Sequence, residues 1–115
     1  MTIERVPAFS ITPLQDTTQV WRLVEAEKPV DWTATYGGVG YTAEIVISRR
    51  GKVYHRSPVA LDAEGFLTAT IPASVARELR SARLVDAQYQ IQITAPMPDQ
   101  SEVWEGNISV DEVFE

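Results

Sequence analysis

The sequence predicts an all-β protein, an antiparallel sandwich or barrel of short strands with one short crossover helix. Three observations carry this reading. Apolar and polar residues alternate with period two in several segments, turn residues punctuate those segments at roughly even spacing, and a single stretch shows helical spacing. At 115 residues the chain has the size of one domain, able to bury a core without covalent staples, so residues 1–115 are read as a single unit.

Taken in order, residues 1–8 form an extended N-terminal arm. Ile3 and Val6 are apolar, but the arm is too short to bury them alone, and Pro7 separates it from a first strand at Phe9–Thr12. Thr17–Val24 reads as a further strand whose buried face cannot be assigned, because its alternation is imperfect. Residues 25–40 read as a long loop, with Pro29, three glycines and the aromatics Trp32 and Tyr36. Beyond it Tyr41, Ala43, Ile45 and Ile47 alternate with polar or outward residues, the pattern of a half-buried strand. Arg50-Gly51 marks a turn into a weaker strand around Val53–His55, and Asp62-Ala63-Glu64-Gly65 marks a second turn. Leu67, Ala69 and Ile71 form the next inward row. Pro72–Arg80 is helical, started by Ser74 or the Pro72 peptide, with Val75 and Leu79 on one face. Tyr89, Ile91 and Ile93 stand between glutamines in the cleanest alternation of the chain. A Pro96–Gln100 turn then leads to Trp104, Gly106, Ile108 and Val110. The predicted core is Tyr41, Ile45, Ile47, Leu67, Ile71, Leu79, Tyr89, Ile91, Ile93, Ile108 and Val110.

Composition narrows the function classes. Sixteen acids against ten bases give a formal charge of −6, which opposes binding to a phosphate backbone. The densest basic spot, Arg49, Arg50 and Lys52, surrounds a glycine and reads as a solvated turn. Cysteine is absent, which removes disulfides, thiol nucleophiles and thiolate metal sites. Neither a signal-like start nor an apolar run of membrane-spanning length is present, so the expectation is a soluble chain made in the cytoplasm, with no membrane partner.

No constellation of residues points to catalysis. His55 is the only histidine and has no nucleophile beside it, so it reads as an ordinary exposed or half-exposed strand residue. Asp62 and Glu64 flank a turn ending in Gly65, where such residues serve the backbone. Gly37-Gly38-Val39-Gly40 is followed by a β-pattern and not by a helix, against a phosphate cradle. The expectation is therefore no enzyme, no catalytic residue, no metal and no cofactor. Of the three tryptophans, Trp104 shares the phase of the core and Trp21 is unassigned. Trp32, in the irregular loop, is the one placed to touch something outside the domain. Coplanar exposed aromatics would instead suit a glycan-binding module, the alternative reading.

Several segments resemble a phage-encoded Ig-like module. Phe9-Ser10-Ile11-Thr12 with Gln15-Asp16-Thr17 is similar to its "Ile-Thr … Gly-Asp-Thr" opening. Pro29-Val30-Asp31-Trp32-Thr33 and Gly40-Tyr41-Thr42-Ala43 resemble its "Pro-Val-Asp-Leu-Thr-Gly-Tyr-Thr-Ala" passage, split here by Ala34–Val39. Leu67–Ile71, the short helix and Ala87–Thr94 follow in the same order, and Val103–Val110 is similar to its closing "Leu-Glu-Gly-x-Ile-x-Val" strand. The family is that of the N-terminal domain of siphophage baseplate upper proteins and related one-domain virion proteins. The resemblance implies an Ig-like sandwich of about seven to eight strands. It further implies a structural role in the virion, as a tail or baseplate adaptor or a head decoration protein, and supplies no catalytic residue. Expected partners are other virion proteins and further copies of the chain, in an oligomer or repeated array. The candidate contacts are Ile3 and Val6 of the arm and Trp32 and Tyr36 of the loop; the alternative is that both segments fold back on their own domain.

Overall fold

The computed structural model describes residues 2–5, 8–25, 27–96 and 102–111, with the backbone alone at residues 2–5, 25, 29 and 36. Alternating patterns become two sheets facing one another. The larger is ordered β1 (Thr2–Arg5), β13 (Glu102–Val110), β12 (Asp86–Thr94), β8 (Thr42–Arg49), β9 (Lys52–Pro58), with β2 (Phe9–Ile11) also on β13. The smaller is ordered β10 (Ala60–Leu61), β11 (Phe66–Ile71), β3 (Thr17–Arg22). Strands β8, β12 and β13 face β3, β11 and β10, the two layers of a mainly antiparallel sandwich. All these pairings are antiparallel except β1 and β2, which run parallel to β13 along its outer edge. The expected all-β sandwich with one short helix is the fold observed.

The core follows from strand phase. Burial alternates strictly along β12, where Ala87, Tyr89, Ile91 and Ile93 are buried and Gln88 is exposed, and along β13, where Trp104, Gly106, Ile108 and Val110 are buried. Ten of the eleven predicted core residues are buried, and Tyr41 packs partly buried against them. Gly106 has a packing reason. It stands opposite Tyr89 in the ladder, and a Cβ there would lie 2.5 Å from the Tyr89 ring. Phe9 and Trp21 close on the same ring, at centroid distances of 5.0 and 5.7 Å. One outward residue breaks the pattern: Val46 is buried although its phase is outward, between Gln90 and Arg56 in register on the flanking strands.

Helix α1 (Ala73–Ser81) carries β11 over to β12 and buries Ala73, Val75, Ala76 and Leu79. The Pro72 peptide starts it, one of the two expected starts: Pro72 is the N-cap and its carbonyl accepts the Val75 N–H at 3.1 Å. No side chain at Pro72 or Ser74 caps it; instead Asp16, from the β2–β3 turn, accepts the Ala73 N–H at 2.9 Å. A carboxylate satisfies an orphan donor there and complements the positive end of the helix. Sequence spacing gives no sign of this bond because the partners are 57 residues apart.

Two expectations need correction. The arm does not stand free: Thr2–Arg5 pairs with Glu102–Glu105, so its backbone groups on that side are met along β13. The long loop is not structureless. It contains a ribbon of β4 (Val24–Glu25) with β5 (Lys28–Pro29) and a second of β6 (Thr35–Tyr36) with β7 (Val39–Gly40). In the second ribbon Gly37 and Gly38 both take positive φ, +60° and +81°, as a type I′ turn demands. Arg50 and Gly51 do the same between β8 and β9. The Pro96–Gln100 turn lies outside the described residues except for Pro96.

Truncating Ile91, which is wholly buried on the central strand, to Ala is expected to cost about 2–5 kcal/mol in denaturant unfolding. A loss below about half a kcal/mol would contradict the strand phase. Asp16→Ala is expected to cost about 1 kcal/mol through the lost helix cap, while Asp16→Asn retains most of the stability.

Candidate interaction surface

Strand directions gather the loops at two ends. β3 ends, β8 begins and β11 begins at one end, so the Leu23–Tyr41 loop and the Asp62–Gly65 turn share it with the beginnings of β1 and β13. This end, where the long loop and the turn meet, is the candidate site, and it is built on a tryptophan.

Trp32 is 4% exposed, so it lies in the core and is not an outward contact. Its indole N–H donates to the Gly65 carbonyl at 3.0 Å and its backbone N–H to the Asp62 carbonyl at 3.1 Å. The ring meets Tyr41 edge-on at 5.2 Å and Trp104 at 6.4 Å. An indole has about 200 Å² of largely apolar surface to bury and one donor to satisfy, and the turn supplies the acceptor. The receiving turn is itself held: Asp62 Oδ1 accepts the N–H of Glu64 at 2.9 Å and of Phe66 at 3.0 Å, and Gly65 takes a φ of +87°. Gly65 O also accepts the Leu23 N–H, so one carbonyl ties both ends of the loop's first half. The reading of Asp62 and Glu64 as turn residues holds.

Around this anchor the loop presents a mixed surface. Val24 and Val39 are exposed, with Glu27, Lys28, Asp31 and Thr33. Asp31 accepts both the hydroxyl and the backbone N–H of Thr33, which hold its carboxyl below the usual range. Beside the loop a groove of about 400 Å³ is lined by Trp32, Tyr41, Val59 and Leu61, with Pro58 at its margin.

The four candidate contacts separate. Trp32 is an internal anchor. The Ile3 backbone pairs with Val103 in the sheet, Val6 lies outside the described residues, and the Tyr36 backbone pairs with Val39 beside the Gly37–Gly38 turn. Val24 and Val39 are the exposed apolar residues that sequence reasoning passed over. Their only signal is an apolar residue within a turn-rich segment. Trp21 and Trp104 are buried as well, so none of the three tryptophans offers a plane for a sugar ring. Compared with protein-family models, with curated proteins and with solved structures, the chain matches none. Among the described residues no helix is long and apolar enough to cross a membrane.

His55 stands apart from this end, on the inward side of β9 opposite Ile47, half-buried, with Nε2 at 2.9 Å from Ser57 Oγ. Burial lowers its pKa below the ordinary histidine value.

Trp32→Ala is expected to cost about 3–5 kcal/mol, as for other buried aromatics. Trp32→Phe is expected to cost less, losing the indole bond to Gly65 but keeping a ring against Tyr41. Parent-like stability of the alanine variant in chemical denaturation would mean that the loop is not anchored by the indole. For His55 the depressed pKa means that the unfolded chain takes up the proton first. Stability is therefore held at neutral pH and lost as pH falls below about 6.5. The loss in melting temperature between pH 7.5 and pH 5 is expected to be smaller in His55→Gln; equal losses would show that His55 is not the group responsible.

Proposed function

We propose that this chain is a non-enzymatic structural module of a bacteriophage virion, acting by protein–protein contact as a tail or baseplate adaptor or a head decoration protein. The observation that carries the contact reading is the loop end. A buried tryptophan is hydrogen-bonded into the turn at one end of the sandwich, and its loop forms two β-ribbons that leave Val24 and Val39 exposed. Ordering such a loop before binding removes much of the entropic cost of forming a complex. A function resting only on the core would need none of this. The virion assignment rests on the resemblance of the Phe9–Thr17, Pro29–Ala43 and Val103–Val110 segments to phage Ig-like modules. Such a module works through repetition, with one patch reused on many copies, so modest contacts add up.

Gold-labelled antibody against the chain is expected to decorate purified particles, at the tail tip or over the head. Val39→Glu, at an exposed position, is expected to leave the melting temperature near that of the parent and to lower incorporation into particles several-fold. Unlabelled particles would overturn the virion reading. Parent-like incorporation of both Val39→Glu and Val24→Glu would move the contact surface away from the loop end.

A further inference from the structure

The end opposite the loop has a different character. It gathers the β8–β9 turn, the β2–β3 turn and helix α1, and with them six of the chain's ten basic residues: Arg49, Arg50, Lys52, Arg77, Arg80 and Arg83. An ion pair between Arg49 and Asp86, at the start of β12, shows that the turn and the helix exit meet. Arg50, Arg80 and Arg83 are exposed and have no ion pair among the described residues. Among the described residues the acids at this end are Asp16, Glu78, Asp86 and Asp111; Asp16 is engaged with the helix start and Asp86 with Arg49. Among the residues whose side chains are described, the loop end has the opposite balance, with Glu27, Asp31, Asp62, Glu64 and Glu102 against Arg22 and Lys28. Exposed apolar side chains follow the same division. Leu14, Val85 and Val53 lie at or beside the arginine end, and Val24 and Val39 lie at the loop end. Among the described residues the remaining large exposed hydrophobic, Val20 in β3, lies between the two ends.

We propose that the two ends are complementary surfaces and that copies of this chain associate head to tail, the arginine end of one against the acidic loop end of the next. The proposal rests on the reading of the loop end as a contact surface and names its occupant, a second copy. A single copy cannot join its own ends, so each copy leaves one surface of each kind free. Repetition then closes a ring or extends a chain, unlike a two-fold dimer, which pairs one patch with itself. The cross-section of the molecule, 25 by 23 Å, limits the contact to on the order of 500 Å² a side, less than the usual stable interface. Association is therefore weak and led by charge. It is expected to be strong where the screening length is long, about 20–30 Å near 0.02 M salt, and to fade where it falls to about 4 Å near 0.5 M.

Sedimentation velocity of the full chain tests this. At about 0.02 M salt the weight-average mass is expected to rise to at least twice the monomer value, and at about 0.5 M to return to monomer. Neutralising one end in Arg80→Gln/Arg83→Gln, or the other in Glu27→Gln/Glu64→Gln, is expected to give folded monomers under both conditions, with unchanged melting temperatures. Mixing the two variants is expected to produce one-to-one dimers and nothing larger, because each retains one intact surface. A parent that stays monomeric at low salt overturns the proposal. So does association that ignores salt, or a mixture that stays monomeric while the parent associates. A chain that is monomeric in solution yet labels particles would retire the head-to-tail contact alone. A chain that associates head to tail yet labels no particle would retire the virion reading alone.

Discussion

The sandwich depends on the inner face of its central strand. β12 pairs with β8 on one side and β13 on the other, and its inward row of Ala87, Tyr89, Ile91 and Ile93 is almost completely removed from water. Because side chains alternate with a period of two, slipping either ladder by one residue would turn an apolar row outward and bring glutamines in. The Tyr89 ring lies over Gly106, where any side chain would collide, so the β12–β13 register is set by shape as well as by polarity. The ring in turn supports Phe9 and Trp21, which join the larger sheet to the smaller.

With that register set, the ends of the sandwich become the problem. Two sheets leave their core open where strands stop, and the chain closes the openings differently. At one end α1 lays Val75, Ala76 and Leu79 against the core, its first turn held by Asp16. At the other Trp32 enters from the loop and is received by the Asp62–Gly65 turn, with Tyr41 and Trp104 around it. The indole is thus a plug, and the backbone it draws in places Val24, Val39 and several carboxylates at the surface. Burial and the exposure of these side chains therefore arise from one residue.

The two closures also give the molecule its polarity. A helix bearing arginines on its exposed face and an arginine-tipped hairpin share one end, while the acidic turn and loop share the other. A chain with a formal charge of −6 can therefore offer a basic surface, which the overall figure conceals. Net charge speaks to nonspecific partners such as nucleic acid, whereas recognition depends on where the charges lie.

The sequence by itself determined the strand phases of β8, β11, β12 and β13, the turns at Arg50-Gly51 and Asp62–Gly65 and the helix, because period-two alternation and Gly- or Asp-bearing turns are local properties that burial merely enforces. Ile45 and Ile47, Leu67 and Ile71, and the row from Tyr89 to Ile93 are buried as their phase requires. Positions set by long-range partners were illegible. Trp32 reads as a surface residue because its acceptor on Gly65 is 33 residues away, and Asp16 carries no sign that it will cap a helix starting at Ala73. The arm from Thr2 to Arg5 shows no strand pattern because backbone pairing on the free edge of β13 holds it. Likewise, the separation of arginines from carboxylates is invisible along the chain and emerges only when the topology brings the β8–β9 turn beside the helix. Only the tertiary structure decided these, since each depends on which segments meet once the sheets have closed.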